Sequence, residues 1–182
     1  MDGPRAAAAA DDVWAAFDFD GTLTRCDSLT PFLRQVLGTA RLLVALGVEA
    51  PWLGAYAVGL LGNEQAKVRL LRRTLRGKPR HALQAQARAF AAGGLPPLIR
   101  ADMLRRVRRH QELGHRCVLV TASPSIYTQV WAQAHGFVAT LGSVLEFDAA
   151  GLATGELAEG NCWGPEKQRR LARFLPPGAE LG

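Results

Sequence analysis

Cysteine is scarce in this 182-residue chain, and its three cysteines form neither an even set nor a metal-binding pattern. Cys26, Cys117 and Cys162 stand far apart in the sequence, which disfavours both a disulfide-stabilised secreted fold and a cysteine-based zinc site. Such cysteines are typical of reduced thiols, so we expect a cytoplasmic protein.

The chain also lacks a long apolar run without interruptions. The alanine run near the N-terminus is too short for the core of a signal peptide and ends in two acids. Residues 42–61 have the length to span a bilayer, but Glu49 and Pro51 interrupt them and three glycines weaken them. Buried helices of a soluble domain are the favoured interpretation, and weak contact with a membrane surface stays open.

Acidic residues are too few to balance the basic ones. There are 16 Asp and Glu against 22 Lys and Arg, a net charge of +6, which favours anionic partners. The arginines cluster in residues 72–80 and 105–109, where a solvated helix face is the favoured interpretation and an acidic head group the alternative. No aromatic residues stand between these arginines as a stacking platform, so we expect no nucleic-acid partner.

The hydrophobic residues that are present, 48% of the chain, are enough for a packed core. Apolar runs at residues 13–19 and 116–123 predict buried strands. Between them the pattern is helical, with helix starts at Thr30-Pro31 and at Lys78-Pro79 and a further helix over residues 96–114. After the second strand we predict a helix to Gly136, renewed strand character, a hairpin turn at residues 148–151 and a last helix over residues 164–175.

Strands that alternate with helices predict an α/β fold with a parallel sheet and helices on its faces. The helical block after the first strand contains no convincing strand and is too long for one crossover, so we expect an inserted helical unit. We assign residues 13–27 and 113–182 to the core, residues 28–112 to the insertion and residues 1–12 to a disordered N-terminus.

Two carboxylates follow the first strand in the sequence FDFDGTLT, residues 17–24. Asp20 is the next residue after Asp18 on the same side, because strand side chains alternate. Gly21 permits a tight turn that faces backbone N–H groups toward an anion. One carboxylate could attack as a nucleophile while the other moves protons, and Mg²⁺ would reduce their repulsion with a phosphate. Taken alone, the motif also suits an Asx turn.

Two more polar residues are expected at the same edge of the sheet. Thr121 ends the second strand, and such sheets bind ligands beyond the carboxyl ends of their strands. Its hydroxyl and the N–H of Ala122 could hold a phosphoryl oxygen. Lys167, in the first turn of the last helix, could neutralise charge on the nucleophile and the phosphate. Taken singly, Thr121 also suits a helix cap and Lys167 a solvated position.

The segments DFDGTLT, VLVTAS and GPEKQRRL resemble, in order and context, motifs I, II and III of the haloacid dehalogenase superfamily. The resemblance extends from residue 13 to about residue 175. It is strongest to subfamily IB, the phosphoserine-phosphatase-like hydrolases, through NCWGPEKQRRL and the helical segment after motif I. It implies a Rossmann-like core with a C1-type helical cap, Mg²⁺, and a phosphatase that hydrolyses a small phosphate monoester through a phosphoaspartyl intermediate.

Carried over to this sequence, the resemblance makes Asp18 the nucleophile and a metal ligand. It makes Asp20 the general acid and base, with its backbone carbonyl toward the metal. Thr121 and the backbone of Ala122 would bind phosphate beside the Gly21 turn. Lys167 is the motif III lysine.

One more position has a counterpart in phosphoserine phosphatases. Asp27, nine positions after the nucleophile, corresponds to an acid that contacts the substrate there, although a helix cap is the alternative. Where those enzymes often carry Ser-Gly-Gly at motif II, this chain has Thr121-Ala122-Ser123. This difference argues against serine phosphate as the substrate.

Motif IV of the family, a Gly-Asp-Ser-x-x-Asp type segment after one more strand, does not follow within the 182 residues, although Glu180-Leu181 resembles the start of that strand. The sequence therefore predicts an incomplete metal site and little activity of this chain by itself. The alternatives are an inactive domain that binds phosphate or anionic lipid and a lipid-phosphate phosphatase at the membrane surface. A phosphomutase also fits the motifs, whereas a dehalogenase is disfavoured by Asp20. The pattern indicates neither the ester nor the oligomeric state.

Overall fold

The computed structural model describes residues 13–57, 59–60 and 62–181. The disordered N-terminus predicted for residues 1–12 lies outside the described residues. The strands are β1 (Val13–Phe17), β2 (Arg116–Pro124), β3 (Ala139–Ser143), β4 (Leu145–Phe147), β5 (Ala153–Leu157) and β6 (Glu180–Leu181). The helices are α1 (Leu29–Leu37), α2 (Thr39–Ala57), α3 (Asn63–Leu75), α4 (Arg80–Ala89), α5 (Ala101–Glu112), α6 (Ser125–Ala134) and α7 (Pro165–Phe174).

Four strands form a parallel sheet in the order β3-β2-β1-β6. Its central strand β1 pairs with β2 from Trp14–Arg116 to Phe17–Leu119, and with β6 through Val13 and Trp14. The α/β fold with a parallel sheet is therefore confirmed, and Glu180-Leu181 do start a strand. Because β1 and β2 are parallel neighbours, the residues after Phe17 and those at the end of β2 lie at the same edge.

Helices cover both faces of this sheet. On one face, Ala15, Phe17 and Leu119 pack with Val107 of α5 and Trp131 of α6. On the other face, a cluster of Trp14, Val118, Val120 and Cys162 packs against Leu171 of α7. The alternation along β1 follows from the strand period of two and produces a three-layered core.

The helices between β1 and β2 pack together with the hairpin β4–β5. Their shared core is made of leucines from four helices and three hairpin residues: Leu29, Leu33, Leu42, Leu70, Leu71, Leu75, Leu83, Leu145, Ala153 and Leu157. Backbone hydrogen bonds reinforce this contact, since Gly77 N–H donates to Ala153 O at 2.8 Å and Ala153 N–H donates to Lys78 O at 2.9 Å. The predicted hairpin is confirmed, but it packs with the inserted helices.

Across the described residues of the insertion the regular elements are helices, and isolated bridges join Pro79 and Ile99 to residues outside it. Its last helix, α5, packs on the sheet through Val107. The division into cap and core at residues 28 and 112 stays a prediction.

Two predicted helix starts were wrong. Thr30 lies inside α1 and its N–H donates to Asp27 Oδ2 at 2.9 Å, so the Asp27 carboxylate caps this helix. Residues 96–98 form a separate 3₁₀ turn, and α5 begins only at Ala101 because Ile99 and Arg100 are extended. The extended stretch arises where Ile99 bridges to Thr24.

The apolar segment of residues 42–61 is largely helix α2, with Pro51 inside it. Only part of this helix is buried: Leu42, Ala45 and Glu49 face inward, whereas several large apolar side chains are exposed. The expectation of buried helices therefore holds for one face of α2. No helix among the described residues has the length and apolar character to cross a membrane.

Candidate active site

Asp18 and Lys167 form an ion pair at the carboxyl end of β1. The Asp18 backbone is still extended, and its Oδ1 accepts hydrogen bonds from its neighbour Phe19 N–H and from Lys167 Nζ, each at 2.7 Å. Lys167 reaches this point from the first turn of α7. The Asp18 side chain remains 42% exposed. Lys167 is therefore not a freely solvated helix lysine, and one face of the carboxylate stays accessible to a ligand.

A tight turn of residues Phe19–Leu23 follows Asp18. Gly21 has φ +75°, a left-handed conformation that favours glycine. The buried Thr24 closes the turn: its N–H donates to Phe19 O at 2.9 Å and its hydroxyl donates to Cys26 O at 2.7 Å. The DGT part of the motif thus fixes the backbone beside Asp18.

Asp20 points into a network of hydroxyl groups. Its Oδ1 accepts from Ser28 N–H at 3.0 Å, and its Oδ2 accepts from the Ser123 hydroxyl. The Ser28 hydroxyl in turn contacts Ser123 Oγ at 3.2 Å and Tyr127 Oη at 2.9 Å. The network joins the first turn, the end of β2 and helix α6, and it fixes the orientation of the Asp20 carboxyl.

The surroundings of this network favour neutral groups. Burial raises the pKa of Asp20 above its ordinary value, although the hydrogen bonds from Ser123 and Ser28 oppose that shift. Burial also raises the pKa of Tyr127 well above its ordinary value, with the charge of Asp20 acting in the same direction. Asp20 therefore holds a proton more readily than an exposed aspartate does.

The end of β2 supplies Thr121 and Ala122. Thr121 is fully buried, and its hydroxyl oxygen accepts from Ser123 N–H at 2.9 Å. That bond lies within the strand end, so Thr121 is not the cap of α6. The carbonyl of Ala122 accepts from Lys67 Nζ and from Ser143 Oγ, each at 2.7 Å.

Lys67 comes from helix α3 of the insertion and is the main residue that the sequence argument missed. Besides Ala122 O, its Nζ donates to Asn161 Oδ1 at 2.8 Å. Asn161 is held by Ser143 Oγ at 2.9 Å and by Asn63 Oδ1, which accepts from Asn161 Nδ2 at 2.6 Å. Burial lowers the pKa of Lys67 to about 8, although the negative charges of Asp20 and Asp27 oppose the shift.

Asp27 acts as a helix cap, which was the alternative to a substrate contact. Its carboxylate caps α1 through Thr30 N–H, and its side chain is exposed. It nevertheless lies near enough to Asp20 to raise the pKa of that carboxyl by charge repulsion. The structure therefore places Asp27 at the margin of the site.

The donors available for a metal ion are oxygens. No group of three or more His, Cys, Asp and Glu side chains in the described part of the chain is arranged to hold one. Mg²⁺ often binds proteins through only one or two carboxylates, with water and substrate phosphate completing its octahedron. The accessible Asp18 carboxylate and the Asp20 backbone carbonyl suit such a site, because both are hard oxygen donors.

A cavity of about 990 Å³ lies between α3, the end of α2 and the start of α7. Trp52, Arg69 and Arg72 line one side, and Trp163 and Arg169 line another. Asn161, the partner of Lys67, is also in its wall. Neither Asp18 nor Lys167 lines this cavity, so it adjoins the site through Asn161 and does not contain it.

The missed residues share one property. The residues come from four separate stretches of sequence and meet only in the folded chain: Ser28, Lys67, Ser123 with Tyr127, and Asn161. Two of them lie in motif segments that could have indicated a place in the site. Ser123 ends the TAS segment of motif II, and Asn161 begins the segment NCWGPEKQRRL that contains motif III. Nothing in the sequence of α3 distinguishes Lys67 from its neighbouring basic residues.

Comparison with known proteins gives one family and a set of similar folds. The family model of the haloacid dehalogenase-like hydrolases matches residues 15–181. Protein CicA, from two strains of Caulobacter vibrioides, is 33% identical over 166 residues, which are 91% of this chain and 74% of that protein.

Solved structures are similar over most of the chain. A Bordetella pertussis Tohama I protein of unknown function is 26% identical with a TM-score of 0.77, covering 90% of this chain and 74% of its own. A phosphoserine phosphohydrolase-like protein from Francisella tularensis is 17% identical with a TM-score of 0.66, covering 92% and 75%. At that identity the second match concerns the fold alone.

Proposed function

The chain belongs to the haloacid dehalogenase-like hydrolases, and from this premise we propose that it is a phosphatase acting on a small phosphate monoester. The observation that carries the proposal is the ion pair between Asp18 and Lys167 at the end of β1, at 2.7 Å. A carboxylate that is partly exposed, oriented by a lysine and preceded by a buried strand is suited to attack a phosphorus atom.

In the first step a carboxylate oxygen of Asp18 bonds to phosphorus, and the bond from phosphorus to the ester oxygen breaks. The leaving oxygen takes a proton from Asp20. In the second step a water oxygen attacks the phosphoaspartyl group, and Asp20 takes the proton of that water. Inorganic phosphate leaves, and the Asp18 carboxylate is restored.

The environment of Asp20 supports the role of acid and base. Burial raises its pKa above the ordinary value, so the carboxyl holds a proton more readily, as a general acid must. Ser28 N–H and the Ser123 hydroxyl fix the carboxyl group, so that its position does not depend on the substrate.

Phosphate binding would use the turn and the end of β2. Thr121, the N–H of Ala122 and the backbone at Gly21 would hold phosphoryl oxygens, and Lys167 would balance the added charge. When bound, Mg²⁺ would reduce the repulsion between phosphate and carboxylate. The Asp18 carboxylate and the Asp20 carbonyl would be its ligands.

The substrate side of the site would be closed by the insertion. Lys67 places a cationic or neutral amine over the end of β2, next to Asn161. Asp27, at the margin, would contact the part of the ester beyond its phosphate. We infer that the inserted helices select the ester. The core motifs would bind the phosphate group, whereas side chains of the insertion would contact the rest of the molecule.

The test is turnover of a generic ester, p-nitrophenyl phosphate, at millimolar Mg²⁺ by a form of the protein extended through a motif IV segment, since the 182 residues alone are predicted to be weakly active. Asp18→Asn keeps the shape of the side chain but removes the nucleophile, so we expect turnover to fall at least about a thousandfold. Asp102→Asn changes an exposed aspartate of α5, which is paired with Arg100, and should leave the rate unchanged. Near-normal turnover by a pure Asp18→Asn preparation would overturn the proposal.

A further inference from the structure

Helix α2 exposes a broad apolar face. Val44 is 68% exposed and Val48 is 51% exposed, and Trp52, one further turn along the same stripe of the helix, is exposed as well. On the buried side of the helix Leu42 packs into the leucine core of the insertion, and Ala45 is buried too. Scattered exposed apolar residues are ordinary, but three large ones at successive turns of a single helix form a patch of the kind that marks an interaction surface.

An ordinary surface helix exposes its charged residues and buries its apolar ones, whereas α2 buries an acid and exposes apolar side chains. Its only acid, Glu49, is buried and accepts from Arg69 and Arg73 of α3, each at 3.2 Å. Its only other charged residue is Arg41, which is exposed. A helix that keeps its acid inward and its apolar side chains outward presents no negative charge to whatever covers it.

The stretch of chain that carries the face is strongly basic. Residues 29–80 contain nine Lys and Arg but only two Glu. Arg41 precedes Val48 by two helical turns on the same stripe, and the guanidinium of Arg69 lies 4.0 Å above the ring of Trp52. Basic side chains thus flank the apolar patch.

We propose that the exposed face of α2 docks the protein on a bilayer surface that carries anionic lipid head groups. Apolar side chains next to a tryptophan suit the boundary between head groups and acyl chains, and the flanking arginines suit anionic lipids. A second copy of the chain fits less well, because it would bring two basic units against each other without acids to pair them.

The exposed face of α2 lies next to the cavity that adjoins the candidate active site. Trp52 lies both at the end of the apolar face and in the wall of the 990 Å³ cavity that Asn161 shares. A docked molecule would therefore open this cavity toward the head groups, so that an anionic amphiphile could reach it from the bilayer. This link to a substrate rests on the proposed phosphatase function; the docking itself does not.

The experiment is sedimentation of the purified protein with vesicles. One set is made of phosphatidylcholine alone, and the other of equal parts phosphatidylcholine and phosphatidylglycerol. We expect binding to the second set, and weaker binding as salt is added, because screening reduces the contribution of the arginines.

Two valines with the same exposure provide a matched pair. Val48→Glu places a charge in the apolar face and should reduce binding to the anionic vesicles roughly tenfold or more. Val138, also 51% exposed, lies before β3 outside the insertion, and Val138→Glu should bind like the wild type. Val44→Glu, at the most exposed position of the face, repeats the test if Val48→Glu fails to fold, which circular dichroism would show.

Three results would overturn the proposal. The first is equal binding by Val48→Glu and Val138→Glu, and the second is no binding to either vesicle set. The third is a wild-type dimer that Val48→Glu converts to a monomer without any vesicle binding, which would make the face a self-association surface. Loss of phosphatase activity in Asp18→Asn with retained vesicle binding would keep the two proposals distinct.

Discussion

Asp20 and Lys67 are ionisable side chains whose pKa values are shifted by burial in opposite directions. The pKa of Asp20 is raised and that of Lys67 is lowered to about 8, so burial favours the neutral form of each group. Both lie beside the end of β2, Asp20 through Ser123 and Lys67 through Ala122. Two groups near this strand end therefore change protonation closer to neutral pH than they would in water.

Replacing Asp20 by asparagine should separate activity from stability. The amide cannot protonate the leaving oxygen, so we expect turnover to fall about a hundred- to ten-thousandfold. A raised pKa in the folded state means that the Asp20 carboxylate lowers stability at pH 7. Asp20→Asn should therefore raise the free energy of unfolding at pH 7, and this gain should shrink as the pH falls toward 3 and the carboxyl becomes protonated in both states.

Urea unfolding at both pH values and turnover of p-nitrophenyl phosphate would check this pair of effects. A stabilised variant with wild-type turnover would remove Asp20 from the chemistry. A variant that is less stable at pH 7 would show that its hydrogen bonds from Ser28 and Ser123 outweigh the cost of burial.

Lys67 should make stability depend on alkaline pH. Its folded pKa of about 8 lies below its ordinary value of 10.5. The unfolded chain therefore binds more protons between these values, and stability rises with pH. Relative to Lys67→Met, the wild type should gain up to about 3 kcal/mol of unfolding free energy across that window.

The measurement is urea unfolding at several pH values from 7 to the upper end of that window. Gln65→Met, exposed on the same helix, should keep the wild-type slope. A stability difference between wild type and Lys67→Met that does not vary with pH would contradict the lowered pKa.

Among single residues, those that belong to short sequence motifs could be identified from the sequence. Asp18, Gly21 and Lys167 belong to short motifs, and the structure brings Asp18 and Lys167 together at 2.7 Å. The hydroxyl network around Asp20 could not be predicted, because Ser28 and Tyr127 are 99 positions apart and meet only after the sheet has formed. The catalytic and ligand roles of the motif residues stay predictions.

Helix α3 and strand β5 approach each other very closely. Gly155 of β5 has φ +87°, and a Cβ there would lie 2.5 Å from Arg72 Cα and 2.8 Å from Arg72 N. Both are backbone atoms of α3 and cannot rotate away. The ion pair of Arg72 with Glu156 lies at the same crossing. Strand and helix can approach this closely only because residue 155 has no side chain.

Gly155→Ala should destabilise the protein by about 2–4 kcal/mol, because both the left-handed backbone and the clash oppose it. Gly151→Ala is the matched control, since Gly151 has φ +75° but nothing within 4 Å of an added Cβ. It should cost only the strain, about 1 kcal/mol. Thermal unfolding would compare them, and equal losses would mean that the hairpin can move away from α3.

Element prediction succeeded where periodicity and burial agree. The parallel strands β1 and β2 and the helices α6 and α7 lie close to their predicted positions, because each has a clear apolar pattern and a Gly or Pro boundary. The start of α1 was missed because an acid three residues before Thr30 caps it. The exposed apolar face of α2 was not predictable. A helix that is apolar on several sides does not indicate which side will pack against the rest of the protein.

For the whole molecule, the proposed site should couple phosphate binding to thermal stability. A ligand that binds only the folded state stabilises it, by about 2.7 kcal/mol at a hundredfold excess over Kd. For a chain of this length that corresponds to roughly 5–10 °C in Tm. Inorganic phosphate with Mg²⁺ should therefore raise Tm relative to chloride at equal ionic strength.

Thr121→Val should abolish that phosphate-dependent rise, because it removes the hydroxyl proposed to hold a phosphoryl oxygen. Thr128→Val is the matched control: Thr128 is equally buried, and its hydroxyl donates to Pro124 O at 3.2 Å away from the site. Each variant lowers the starting Tm, so the readout is the shift on adding phosphate. An undiminished shift in Thr121→Val would remove Thr121 from the phosphate site.

At the same scale, the family and the parallel sheet were predictable because three motifs occur in the right order at strand and helix ends. The expected lack of a motif IV acid, the resulting weak activity and the cytoplasmic location stay predictions.

The packing of the hairpin β4–β5 against the inserted helices has a consequence for biosynthesis. Ala153 exchanges backbone hydrogen bonds with Gly77 and Lys78 across roughly 75 residues of chain, so the leucine core of the insertion stays open until the hairpin leaves the ribosome. At about 5–20 residues per second, translation leaves that core incomplete for about 4–15 s. We therefore expect nascent chains to expose apolar surface that chaperones bind during this interval, and contacts of such high sequence separation to slow the folding of the released protein.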